Sequence, residues 1–393
     1  MPRVLLLCEY ATLNGGERSM LATLEGIAAA GFEPLVAAPP RGPLAEVLRQ
    51  RGVEHLPWQV WDAAGVRLPQ GQLRENLAEL LARVRPGLLH ANSLSMGRLS
   101  GPVAAVLGLP SIAHLRDIIR LSDRAIGDLQ EHKRLLAVSG AVRDYYVRSV
   151  ARPLRGRGCG ARSDPPTLGA GIAPGKLHVL YNGVDLEEFS PRPATGYLHR
   201  DLGIPEGVPL AGTIGQIGLR KGQDVLARAA LMLADKLPEL HWLIVGDRHS
   251  EKGESRQFEA ELHRAAEGLA GRLHFLGYRN DVPQLLCELT ILVHAARQEP
   301  LGRVLLEAAA SGVATVATDV GGTREVFPPD AEAAVLVPPD DPQAIAGAVR
   351  RLVEDPGQRV RIARAARRRA EEAFDVRQTV AGLVGHYREL IQG

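Results

Sequence analysis

Cysteine is scarce in this chain of 393 residues: Cys8, Cys159 and Cys287 are odd in number, far apart and unpatterned. Such spacing excludes a zinc cluster and suits a reducing cytoplasm. Long apolar runs are missing too. None approaches 18 residues, so no membrane span is expected. The opening run at 4–8 faintly resembles a lipoprotein cleavage box, but it is too short for a signal segment and Glu9 ends it. It reads as a first strand. Excess charge of either sign is absent, with 47 Lys and Arg against 45 Asp and Glu, a formal +2. No global field therefore argues for a nucleic-acid partner.

Two familiar phosphate fingerprints fail as well. Gly156, Gly158 and Gly160 mimic a dinucleotide turn, but no strand precedes them and the last spacing is wrong; Gly175-Lys176 lacks the flanking residues of a P-loop. No paired carboxylates of the metal-binding Asp-x-Asp kind present themselves, and neither a metal nor a cofactor is expected.

What remains is an ordinary globular balance, 45% hydrophobic and 23% charged, in a chain long enough for two domains. Apolar strand-like runs at 4–8, 32–38, 53–56, 88–91, 110–114 and 135–139 alternate with helical patterns at 43–51, 73–84, 96–107 and 141–150. The alternation resumes at 177–181, 210–214, 241–245, 273–276, 291–294, 313–318 and 335–337, and the stretch 342–369 reads as one helix. This α/β pattern predicts parallel, doubly wound sheets with ligands at the carboxyl ends of the strands. Polar groups follow several of those ends: His90, Asn92 and Ser93; His114, Arg116 and Asp117; Ser139. Ser139 is equally a good helix N-cap.

The stretch 291–327 carries the most chemistry. A strand ends at His294, a Pro-broken loop reaches Glu299, and a helical pattern starts at Gly302 and stops at Gly312. Amides of Gly302, Arg303 and Val304 at a helix start, with the positive end of the dipole behind them, suit a phosphate. Glu299 and Glu307 flank that site and can accept hydrogen bonds from several hydroxyls, as a sugar nucleotide requires. Arg303 and Glu307 also stand at i, i+4, which by itself invites a plain ion pair.

Glu299-Pro-Leu-Gly-Arg-Val-Leu-Leu-Glu307, followed by Ala317-Thr-Asp-Val-Gly-Gly-Thr-Arg-Glu325, resembles the Glu-x7-Glu region of family-4 retaining glycosyltransferases of the GT-B fold. The resemblance implies that Glu299 faces donor-sugar hydroxyls, that Glu307 binds the ribose and that the amides of 302–304 hold the diphosphate. It extends to Gly15-Gly16-Glu17-Arg18, similar to the family's donor-contacting glycine turn, and to His114, which it places beside the donor sugar. Ser139-Gly-Ala-Val resembles a substrate-positioning Ser-x-x-Val, and Asn92 is a further positioning candidate. At Gly215-Gln216-x4-Lys221-Gly222 the family's diphosphate-gripping Lys is matched, but Gln216 stands where an Arg is expected. Arg220 is the candidate to replace that charge.

The resemblance implies two Rossmann-like domains facing a central cleft, at 1–189 for the acceptor and 190–373 for the nucleotide sugar, with a helix at 374–393 crossing back to the first. The expected activity is transfer of a sugar from a nucleotide-diphosphate sugar to an acceptor hydroxyl, with retention and without metal. The catalytic candidates are His114, Lys221 and Glu299. A sugar-nucleotide epimerase and a non-catalytic nucleotide-sugar-binding protein are the alternatives. The expected location is the cytoplasm. Arg148, Arg152, Arg155 and Arg157 form a solvated basic loop or, as the second reading, a peripheral contact with anionic lipid.

Overall fold

In this computed structural model, residues 1–62, 64–148 and 171–392 are described. Arg152, Arg155, Arg157 and the side chain of Arg148 lie outside them, as does Cys159. Among the described residues no helix is long and apolar enough to cross a membrane.

Val4, Leu5, Leu6 and Leu7 are all fully buried. A strand that is apolar on both faces needs cover on both, which a parallel sheet between two helix layers provides. Seven strands build that sheet: β1 (Arg3–Leu7), β2 (Glu33–Ala38), β3 (Glu54–Pro57), β4 (Leu88–Ala91), β5 (Ser111–Leu115), β6 (Arg134–Ala137) and β7 (Leu177–Val179). Every pairing is parallel, in the order 3-2-1-4-5-6-7. The order reverses between β1 and β4, where Leu6 pairs with His90 and Leu7 with Ala91. A reversal of this kind opens a crevice outside the carboxyl ends of the strands.

The second sheet repeats the plan with β8 (Leu210–Ile214), β9 (His241–Val245), β10 (Leu273–Gly277), β11 (Ile291–His294), β12 (Thr315–Thr318) and β13 (Val335–Val337). Its order is 10-9-8-11-12-13, again all parallel, and it reverses between β8 and β11. Both units are thus Rossmann-like.

One compact unit comprises Met1–Asn182 with Arg377–Gly393, and the other Gly183–Val376. These breaks fall after 182 and 376, where the sequence places them after 189 and 373. The last helix, Val376–Gln392, places Leu383, Val384 and Tyr387 in the core of the first unit beside Met20, Ile27 and Phe32. The single helix expected over 342–369 is two, Pro342–Glu354 and Pro356–Ala373. Asp355 stands between them at φ −116°, ψ 86°, its carboxylate accepting from the Gln358 amide at 2.8 Å. The residue before a proline is pushed out of the helical region, and Pro356 cannot donate to the preceding turn. Apolar periodicity runs straight across that break and hides it.

Candidate active site

The reversal in the second sheet brings the loops after β8 and β11 side by side. Lys221, in the turn after β8, places Nζ 2.6 Å from Glu299 Oε2. His294, the last residue of β11, donates from Nε2 to the same oxygen at 2.8 Å. Glu299 is 5% exposed. Burial alone would raise its carboxyl, but Lys221, the His294 hydrogen bond and Arg220 outweigh that and hold it well below the usual range. Burial pushes His294 down more than Glu299 lifts it, so the ring is a neutral donor. The result is a persistent carboxylate beside a cation.

The loop carrying Glu299 is fixed from several sides. Arg297 forks onto both oxygens of Asp224 at 2.8 and 2.7 Å and reaches Asp340 at 2.6 Å. Two glycines let neighbouring backbone close on the loop. A Cβ on Gly222 would lie 1.9 Å from the Ala295 carbonyl oxygen, and one on Gly321 2.0 Å from that of Glu299. Both adopt positive φ, 67° and 52°, which side chains resist. The Gly322 amide then donates to the Glu299 carbonyl at 2.9 Å. The Lys-Gly and Gly-Gly pairs of the sequence are therefore the fittings that seat this one loop.

Gly302 caps the helix Arg303–Ala310 with φ 99°, so the first-turn amides are those of 302–304, as expected. Arg303 Nε meets Glu307 Oε1 at 2.7 Å, and Glu307 is buried. The plain i, i+4 ion pair exists. Gln216 is exposed, and its carbonyl accepts from Gln223. Arg220 is also exposed, its guanidinium 3.3 Å from the Gln298 carbonyl, and its charge acts on Glu299.

The first unit gathers a different set at its own reversal. Arg116, just past β5, donates to Asn92 Oδ1 and to the Asn92 carbonyl, each at 2.9 Å, and to Asn182 Oδ1 at 2.7 Å. It also reaches His114 Nδ1 at 3.3 Å. Asn92 in turn donates to the Gly16 carbonyl at 3.2 Å. Gly16 opens the helix Gly15–Ala29, and a Cβ there would lie 3.4 Å from Arg116 Cδ; at Gly15 the space is open. Asn92, His114 and Gly16 thus meet around one guanidinium. Ser139 is buried with Oγ accepting from the Val142 amide at 3.0 Å, which is the capping geometry.

Sequence reasoning left out Arg116 and His294 as site residues. Arg116 lies two positions after His114, so it continues the same face of an extended segment. His294 is a polar residue closing an otherwise apolar strand. Both signals were present. Among the described residues no group of three or more His, Cys, Asp and Glu is gathered as metal ligands. A cavity of about 500 Å³ in the second unit, lined by Thr195, His199, Glu288, Gly312 and Arg359, lies toward the opposite, amino ends of β8, β11 and β12.

Residues 197–369 match the family model described as glycosyl transferases group 1, a span that includes Gln216, Lys221, His294, Glu299 and Glu307. That segment is what the chain shares with group 1 glycosyl transferases. Over 228 residues it is 33% identical to the D-inositol 3-phosphate glycosyltransferase of Salinispora tropica, covering 56% of this chain and 47% of that protein. Over 220 residues it is 28% identical to the lipopolysaccharide core biosynthesis mannosyltransferase LpsB of Rhizobium meliloti, covering 54% and 61%. The chain spans about half the length of the first curated relatives it matches. Among solved structures, Anabaena Alr3699/HepE in complex with UDP-glucose superposes with a TM-score of 0.82 at 22% identity, covering 99% of this chain and all of that one. That likeness shows the fold, a GT-B architecture, and the matched segment 197–369 lies in its second Rossmann-like unit.

Proposed function

We propose that this chain is a glycosyltransferase that moves a sugar from a nucleotide-diphosphate sugar to an acceptor hydroxyl, with retention of configuration as in family 4. The carrying observation is the buried Glu299 held between Lys221 and His294 at the sheet reversal, inside the segment that matches the group 1 model. An ammonium has three donors and Glu299 engages one, which leaves Lys221 suited to a leaving diphosphate as well. Charge develops on that group in the transition state, where fixed cations and helix-start amides act most strongly. Lys221, Arg220 and the amides of 302–304 take this role, and Gly15 and Gly16 supply a second amide-rich approach. Glu299 receives donor-sugar hydroxyls and Glu307 the ribose.

No side chain is placed as a nucleophile under this reading, so the acceptor attacks the face that the diphosphate leaves. His114, Asn92 and Ser139 belong to the first unit and take the sugar and acceptor side. The reaction needs no metal if these cations neutralise the diphosphate. A cytoplasmic site of action is supported by the unpaired Cys8 and Cys287.

The test is a panel of nucleotide sugars scored by thermal shift, since any ligand of the native state raises apparent stability. The stabilising donor is then incubated with acceptors in EDTA and the product's anomeric configuration read by NMR. The expected result is one protective donor and a retained glycoside. Conversion of the donor alone, without acceptor, would assign an epimerase instead.

A further inference from the structure

The side chain of His114 is one end of a hydrogen-bonded row that begins on the last helix of the chain. Tyr387 OH lies 2.6 Å from His90 Nδ1, and His90 Nε2 lies 2.8 Å from His114 Nδ1. All three residues are buried, with Tyr387 at 0%, His90 at 2% and His114 at 4% exposure. Hydrogen positions in such a row are decided by whichever member has a fixed role. Arg116 sets the direction, but its 3.3 Å contact is long and holds the row in that direction only together with the shorter Tyr387 hydrogen bond at the far end. A guanidinium only donates, and it reaches His114 Nδ1 at 3.3 Å, so Nδ1 must carry a lone pair. His90 Nε2 must then be the donor to His114, which leaves His90 Nδ1 as an acceptor. The Tyr387 hydroxyl therefore donates to it.

We infer that Tyr387 and His90 are positioning residues: they fix His114 as the neutral tautomer protonated on Nε2, presenting that N–H as a donor. The remaining nitrogen fits the assignment. His114 Nε2 has no hydrogen-bond partner among the described residues, and it is not among the side-chain atoms sealed from solvent without one. Burial, with Arg116 beside both rings, pushes His90 down to about 3 and His114 well below its usual value, so both rings stay neutral. A neutral imidazole protonated on Nε2 donates to a sugar hydroxyl or ring substituent; the opposite tautomer would present a lone pair there. The inference deepens the proposed function and rests on it only for what His114 touches.

Tyr387→Phe removes one hydroxyl and keeps the ring that packs edge-on against Phe32 at 5.6 Å. Phe32→Leu is the packing control, since it loosens the same contact and spares the hydroxyl. The readout is the 15N spectrum of labelled histidines, with His114 assigned by its loss in His114→Gln. In the parent protein His114 and His90 should each be a single tautomer protonated on Nε2. In Tyr387→Phe, His90 Nδ1 loses its donor and both rings should move toward mixed tautomers; in Phe32→Leu neither should. With the donor found by thermal shift, Tyr387→Phe should lower kcat about tenfold with KM little changed, the loss of one buried hydrogen bond. A parent His114 protonated on Nδ1, or spectra of both rings unchanged in Tyr387→Phe, overturns the inference. If no nucleotide sugar binds, the proposed function fails while the tautomer result stands on its own.

Discussion

The two sheet reversals are built on one plan and furnished in opposite ways. In the second unit the residues are charged: Lys221 on Glu299, Arg303 on Glu307, Arg297 on Asp224. In the first, Arg116 hydrogen-bonds neutral groups, Asn92, Asn182 and His114 with His90 behind it, and the carboxyl its charge acts on, Glu17, is pushed up by burial. Chemistry explains the contrast under the proposed function. A diphosphate needs fixed cations and carboxylates that stay ionised, whereas orienting hydroxyls needs donors and acceptors of defined direction. Fold symmetry therefore says where ligands bind, and the charge of the furnishing says which part of the ligand goes where.

The largest effect should come from breaking the charged side. Lys221→Ala removes the cation and leaves Glu299 buried without it, which should cost about 3–5 kcal/mol of stability. Transition-state stabilisation should fall by about 3–4 kcal/mol, read as kcat/KM. Turnover equal to the parent's would move the leaving group out of this unit.

Next in size is Glu307→Gln, expected to weaken nucleoside-diphosphate binding by about 1.5–3 kcal/mol in a calorimetric titration. If affinity is unchanged while helix stability drops, the Arg303 ion pair is the whole explanation of Glu307.

Acid should act on His90 of the first region over a higher pH range than on Glu299 of the second. His90 drops from 6.5 to about 3 on folding, so below pH 6.5 the unfolded chain takes up a proton that the folded one refuses. Stability is then lost as pH falls from 6.5 toward 3. Glu299 is depressed from 4.5, so its contribution is present above 4.5 and lost only below that. Protection factors of the β4 and β5 amides, referred to intrinsic exchange at each pH, should fall between pH 6.5 and 4.5, less steeply in His90→Gln. Glu299→Gln should leave that slope as it is.

The smallest effects concern the position that departs from the family pattern. Arg220 is exposed, so Arg220→Ala should cost about 0.5–1 kcal/mol of nucleotide affinity. Gln216→Arg should tighten nucleotide binding with little gain in kcat, because binding that is equal in ground and transition states does not speed the chemical step. A loss in Arg220→Ala as large as in Lys221→Ala would make Arg220 the replacement for the missing charge.

Sequence by itself determined the alternation of strands and helices and the loop-to-helix unit at 291–312. It also determined the pairs Lys221-Gly222 and Gly321-Gly322. These are local matters: period, breaker residues and chain reversal act over a few positions, and Glu299, Arg303 and Glu307 lie within one loop and one helix. The split at Asp355-Pro356 was also written there, though masked by a continuous apolar period. Tertiary structure alone decided what joins across distance. Lys221 and Glu299 stand 78 residues apart and meet because β8 and β11 are neighbours. His90 meets Tyr387 across 297 residues because the last helix packs into the first unit's core. Hydrogen-bond direction in that row follows from Arg116, whose reach no periodicity encodes.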